Sequence, residues 1–201
     1  MKVGNYVTIQ DGTYNAVWEI AGFDMENNQL AADGTVYDNG YGICMIPQTQ
    51  VTTAAWNAGS TVMGGYKSSA MHTTHLPNIV TKLQTILGSH IVKRNVLLSS
   101  SVDGSYYSNK YTWTTAYATL MSIGQMTGTF AANNNKYDDG EANYKLPIFN
   151  SKEYKTGSDF WSRGIWGYKN GDSIAWNVYS DGVSYGYVQI ARGVRPLIYL
   201  R

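Results

Sequence analysis

Residues 161–201 read WSRGIWGYKNGDSIAWNVYSDGVSYGYVQIARGVRPLIYLR, and the fold turns on how this stretch is understood. Its two ends carry fold signals. Trp161-Ser162-Arg163-Gly164 opens it, and Arg192-Gly193-Val194-Arg195-Pro196 leads into the apolar Leu197-Ile198-Tyr199-Leu200. Between them run Tyr, Trp, Ser, Asn, Asp and Gly with few aliphatic residues. Tyr and Trp supply large, rigid contact area at low entropy cost, while Ser, Asn and Gly adapt their hydrogen bonds. That composition suits a surface that binds more than one that only packs. Residues 175–179 have strand character, Ser180-Asp181-Gly182 forms a hairpin turn, and residues 183–191 are expected to return as one strand. Residues 197–200 should close the sheet.

Working outward, the whole chain shares this bias toward uncharged polarity. Charged residues make up 14% of its 201 residues, against roughly 25% in ordinary soluble domains, and polarity comes instead from Gly, Ser, Thr, Asn and 17 Tyr. A formal net charge of +1 gives no electrostatic reason to expect nucleic acid or an anionic membrane as partner. No apolar run approaches the roughly 18 residues that span a bilayer, so membrane insertion is not expected. The opening MKVGNYVTIQDG lacks the apolar segment of a signal peptide. The single cysteine, Cys44, lies between Ile43 and Met45 and is expected to be a buried core thiol.

Upstream, residues 2–9 and 16–22 read as strands, the second with Trp18 and Ile20 on one face and Val17 and Glu19 on the other. Residues 25–39 are polar and punctuated by turn residues. Residues 41–46, ended by Pro47, form an apolar run suited to a strand buried on both faces. Residues 59–74 look like a loop bent at Gly64-Gly65. Residues 77–87 are the clearest helix, with Leu76, Ile79, Val80, Leu83, Ile86 and Leu87 on one stripe, Pro77 in the first turn, Thr74 or His75 as cap and Gly88 as stop. Residues 92–99 resemble a strand. A second helix is expected over residues 112–123, with Ala116, Tyr117, Leu120 and Met121 inward and Gly124 at its end. Residues 133–143 should be an exposed loop, and residues 146–149 return to the core. Early strands, two central helices and late strands describe one α+β domain over residues 1–201, with no internal repeat and no linker, whose termini meet in one sheet.

These residues together resemble a C-type-lectin-like domain. The nearer resemblance is to phage-encoded and gut-bacterial proteins that carry Trp-x-Arg, then Asp-Gly, then Gly-Val-Arg-Pro near the C-terminus. Here these are Trp161 and Arg163, Asp181-Gly182, and Gly193-Val194-Arg195-Pro196. Trp18-Glu19-Ile20, the run from Gly42 to Pro47, the run from Ser68 to His72 and Leu97-Leu98-Ser99-Ser100 extend the resemblance over most of the chain. The same architecture serves the variable proteins of diversity-generating retroelements, whose template Asn codons become Tyr, Ser, Asp or Gly, and residues 168–187 have that flavour. The resemblance implies a ligand-binding display domain at a phage tail tip or on a cell surface. Calcium-dependent lectins carry a Glu-Pro-Asn-type loop and a Trp-Asn-Asp triplet. This chain has Trp176-Asn177-Val178 and no Glu-Pro-Asn, which argues against calcium-mediated sugar binding.

Several residues invite a functional reading. Trp166, Tyr168, Asn170, Asp172, Tyr179, Tyr185, Tyr187 and Gln189 form the expected ligand-binding set, although strand alternation requires some of them to be core. Trp161, Arg163, Arg195 and Pro196 could touch a ligand, but a large aromatic and a multi-donor guanidinium are better suited to locking loops together. His72 and His75, with His90, could offer imidazoles to a metal but lack a carboxylate or thiolate partner. Asp138, Asp139, Gly140 and Glu141 could gather around calcium or form a solvated acidic turn. No metal and no cofactor are expected. No Gly-x-Ser-x-Gly elbow, P-loop or His-Glu-x-x-His motif is present, and Cys44 alone, in an apolar strand-like run, gives little support to the activity of formylglycine-generating enzymes, which share the lectin-like architecture but use reactive cysteines.

The sequence therefore leads to an expectation of a non-enzymatic recognition domain, a tail-associated receptor-binding protein of a phage or prophage. Its partner would be a bacterial surface protein or glycan, and it would act as a homo-oligomer or within a larger tail assembly. The alternative is a structural virion or surface module whose Tyr-rich end packs against a partner chain.

Overall fold

Strand-forming residues dominate both ends of the chain, and the computed structural model joins those ends in one sheet. It describes residues 1–10, 12–25, 39–102, 108–128, 145–169 and 172–201. The polar stretch 25–39 lies mostly outside the described residues. The loop expected at 133–143, with Asp138, Asp139, Gly140 and Glu141, lies wholly outside them.

The first sheet contains β1 (Tyr6–Ile9), β2 (Ala16–Phe23), β3 (Ile43–Pro47), β12 (Pro196–Leu200) and β7 (Ala118–Leu120), in that spatial order and antiparallel throughout. The C-terminal strand thus lies between β3 and β7. The second sheet runs β10 (Gly182–Tyr187), β9 (Asp172–Tyr179), β8 (Phe160–Lys169), β11 (Ala191–Val194), β4 (Thr52–Ala55), and its β8–β11 pair is parallel. β5 (Arg94–Val102) and β6 (Ser108–Ala116) make a separate two-stranded ribbon. The architecture is a mixed α+β one, mostly sheet, with one main helix, α1 (Leu76–Leu87).

α1 follows its hydrophobic stripe. Leu76, Ile79, Val80 and Leu83 are buried, and each such side chain contributes about 1.5–3 kcal/mol. Ile86, expected inward, is exposed. Gly88 ends the helix with positive φ, its N–H donating to the Gln84 carbonyl. Neither Thr74 nor His75 caps the start. The chain enters through a π-helical turn, Met71–His75, so His75 is already helical and no extended residue is available for a side-chain cap. The stretch 59–74 is therefore not all loop, since a 3₁₀ turn, Tyr66–Ser68, precedes the π-helical one. Within it Gly65 is required: its φ is positive, and a Cβ would sit 2.4 Å from the Ser99 carbonyl oxygen.

The helix expected over residues 112–123 does not form. Those residues end β6, make β7 and lead into a one-turn helix, α2 (Ile123–Thr127). Thr112, Trp113, Thr114 and Thr115 are β-branched or aromatic, and they pair with Leu98, Leu97, Val96 and Asn95 of β5. Ala116, Leu120 and Met121 are buried as expected, but in strand and turn geometry, while Tyr117 is only half-buried. Gly124 lies inside α2, and Gly128, in the left-handed conformation, ends it. Ser122 starts α2 with a reciprocal cap: its hydroxyl accepts from the Gln125 N–H, and the Gln125 side chain accepts from the Ser122 N–H.

The core between these layers is rich in aromatics, with Trp18, Trp56, Tyr66, Phe160, Trp161 and Tyr199 fully buried. The polar ends of Tyr66 and Trp56 join elements. The Tyr66 hydroxyl accepts from the Leu120 N–H at 2.8 Å, and the Trp56 indole donates to the Ser162 carbonyl at 3.3 Å. Cys44 is buried, as its apolar neighbours require. No described helix is long and apolar enough to cross a membrane.

Candidate recognition surface

The frame beneath the C-terminal stretch is built from the residues that open and close it. Trp161, in β8, donates its indole N–H to the Ala54 carbonyl of β4 at 3.0 Å. Arg163 is fully buried and reaches Thr119 Oγ1 on β7 at 3.4 Å, tying the second sheet to the first. Arg195 is also buried. It donates through Nε to the Pro47 carbonyl at 2.8 Å and through Nη1 to the Tyr154 carbonyl at 2.7 Å. Its guanidinium also stacks over Phe149 and Phe160. Burial pushes Arg195 down to about 10 and nearby Glu19 pulls it back up, so it stays charged at neutral pH. Glu19, itself buried, pairs with Lys152 and accepts from Gln48 Nε2. Pro196 is buried as the first residue of β12, a position that tolerates proline in a sheet. The four frame residues have structural roles.

On this frame β9 turns into β10 through Ser180 and Asp181, with Tyr179 opposite Gly182. The register then fixes which side chains share a face. Tyr185 lies opposite Trp176 and Tyr187 opposite Ile174, so the two tyrosines project on one side of β10. They are 40% and 47% exposed, whereas Gly186 and Val188 point inward and are buried. Two residues apart on a strand, their ring-bearing carbons are separated by about 7 Å. Gln189 and Ile190, in the turn that follows, are exposed too. The return strand expected over residues 183–191 is therefore interrupted. β10 stops at Tyr187, a turn closes with the Ile190 N–H donating to the Tyr187 carbonyl, and β11 leaves to pair with β4 and β8.

Tyr179 belongs to the opposite face. It is half-buried and covers the guanidinium of Arg192 at 4.9 Å, with Trp161 on the same cation at 5.3 Å. Arg192 also pairs with Asp159 at 3.0 Å. Gly186 makes room for it, since a Cβ there would sit 2.8 Å from Arg192 Nε and Nη2. The Arg192–Asp159 pair, the packing that supports the tyrosine face from behind, was not anticipated from the sequence. The Gly between two tyrosines was the available signal.

Of the eight expected contact residues, then, Tyr185, Tyr187 and Gln189 come together on one exposed strip, and Tyr179 is directed away from it. The backbone of Trp166, Tyr168 and Asp172 is in β8 and β9, with Tyr168 opposite Ser173 and Asp172 opposite Lys169, but their side chains lie outside the described residues. Asn170 lies outside them entirely. The strip can stack flat apolar surface on its rings and form hydrogen bonds through Gln189 and the phenol groups. Among the described residues no three His, Cys, Asp or Glu side chains gather as for a metal, and His90 Nδ1 is instead 3.2 Å from the Arg201 carbonyl. β10 also pairs with no described strand on its outer side. Compared with protein-family models, with characterised proteins and with solved structures, the chain matches none.

Proposed function

We propose that the protein is a non-enzymatic recognition domain of C-type-lectin-like fold that binds a bacterial surface protein or glycan through its C-terminal strip, as a receptor-binding component of a phage or prophage tail. The observation that carries this reading is the pair Tyr185 and Tyr187, exposed side by side on an edge strand whose inner face is rigidly packed. Exposed aromatics on a rigid support are the residues that dominate interface energetics. The lectin-like reading draws on the meeting of terminal strands in one sheet and on the motif order of the sequence. Diversification of residues 168–187 belongs to the same reading.

The test pairs binding with stability. The whole protein is screened against bacterial cells, and titrations and thermal melts are run on Tyr185→Ser, Tyr187→Ser and Trp161→Ala. Each tyrosine variant should keep its melting temperature and lose about 2 kcal/mol of binding, roughly thirtyfold in affinity. Trp161→Ala should lose about 3–5 kcal/mol of stability. If the tyrosine variants bind unchanged, or if no cell surface is bound while a partner chain covers the strip, the recognition reading fails and the structural-module reading replaces it.

A further inference from the structure

Away from the tyrosine strip, a cleft of about 240 Å³ lies between α1 and the β6–β7 segment. Leu76 and Val80 of α1 face Ala116 and Tyr117 across it, and Gln84 and Thr115 add hydrogen-bonding groups to the lining. None of these residues belongs to the strip. His72 borders the cleft from the π-helical turn before α1. Its ring packs on Tyr66, with centroids 5.3 Å apart, and its Nδ1 is buried without a hydrogen-bond partner.

The charges around His72 have one sign. Arg163 and Lys67 both act on it, and among the described residues no acidic side chain lines the cleft. Burial, reinforced by those two cations, lowers the His72 imidazole to about 4. The ring is therefore neutral at physiological pH and carries one N–H. A neutral imidazole in a positive environment, bordering an apolar cleft, suits a ligand that brings the missing negative charge. A cationic ligand would be repelled by the same two cations that, after burial, help to keep the ring neutral.

We propose that this cleft binds a small carboxylate with an apolar body, the body between Leu76 and Val80 on one wall and Ala116 and Tyr117 on the other, and the carboxylate directed to His72. The size agrees. A protein cavity of about 150 Å³ holds benzene, so about 240 Å³ has room for a ring bearing one carboxyl group. The carboxylate accepts a hydrogen bond from the His72 Nε2–H, since Nδ1 is buried, and offsets the field of Arg163 and Lys67. Binding then favours the protonated ring, so ligand and proton bind together.

The experiment uses the whole protein and follows the ring resonances of its three histidines by NMR, with sodium benzoate, benzamide and acetate as probes. Benzoate carries both body and charge, benzamide the body alone, acetate the charge alone. Benzoate should shift the His72 resonances saturably and raise the His72 pKa by about one unit or more. Benzamide and acetate should bind about tenfold more weakly or worse. Thr81→Trp, at an exposed α1 position that borders the cleft, should abolish the benzoate response while leaving His72 neutral at pH 7. His72→Phe assigns the resonance, and if it does not fold, His75→Gln and His90→Gln assign it by elimination. Absence of saturable binding, equal binding of benzamide, movement of His75 or His90 in place of His72, or a response that survives Thr81→Trp would each overturn the proposal.

Discussion

Replacing His72 by Phe should make the protein less sensitive to mild acid. In the fold, His72 takes up a proton only near pH 4, because burial first, and then Arg163 and Lys67, oppose its charge. In the unfolded chain it does so near its ordinary value of 6.5. Between those limits the unfolded state holds more protons, so stability must fall as pH falls. The contribution is intact above about pH 6.5 and gone below about pH 4. The gap is worth about 3 kcal/mol, of which about 2.5 kcal/mol is lost between about pH 7.5 and about pH 4.5. Phe keeps a ring against Tyr66 and removes both the titration and the unpaired Nδ1. Urea unfolding of wild type and His72→Phe at those two pH values gives the comparison, since carboxylates and the other histidines contribute alike to both. Wild type should lose about 2.5 kcal/mol more than the variant. Parallel losses in the two proteins would refute the reasoning, because they would mean that His72 titrates normally in the fold.

Two further substitutions test the frame. Ser122→Ala removes one half of the reciprocal cap on α2 and should cost about 1 kcal/mol, read as a lower urea midpoint with unchanged slope. Gly193→Ala places a Cβ 2.6 Å from the Asp159 carbonyl oxygen, at the one described register point where β11 meets β8 in parallel. It should cost about 1–3 kcal/mol by forcing the strands apart, seen as a lower thermal midpoint.

Where one local period dominated, the sequence was legible. α1 has its stripe, proline and glycine within a single window, and β2 and β3 show short runs bounded by turns. The Ser180–Asp181 hairpin carries its turn residues in the chain. Residues 112–123 failed because Ala116, Leu120 and Met121 are apolar at a spacing that a helix would also bury. What decides them is pairing, of β6 with the preceding strand β5 and of β7 with β12, a partner remote in sequence that only the folded chain supplies. The true helix start was written nearby, as Ser122 followed three residues later by Gln125, and a capping-box reading would have moved the helix to α2. Composition named Tyr185 and Tyr187 with the rest of the set, and alternation required only that some of the set be core. Tyr179 was grouped with them on composition, yet a two-residue turn opposite Gly182 assigns it to the other face. His72 could not be recognised from its neighbours, because its environment is made by Tyr66, Lys67 and Arg163 and by a cleft between α1 and β6.

The two faces of β10 carry separate constraints. On the inner face, Gly186 must stay small for Arg192, and Arg192 in turn is enclosed by Tyr179, Trp161 and Asp159. A side chain at Gly186 would displace a cation that β8, β9 and Asp159 hold, so the cost would spread into the second sheet. On the outer face, Tyr185 and Tyr187 project from an edge strand, where substitutions at exposed positions usually stay within about 0.5 kcal/mol of neutral. Residues one position apart in sequence thus meet different constraints: Gly186 is limited by Arg192, while Tyr185 and Tyr187 project outward. Under the proposed recognition reading, a surface that changes without unfolding its support requires that separation, and alternation along the strand is the feature the reading relies on.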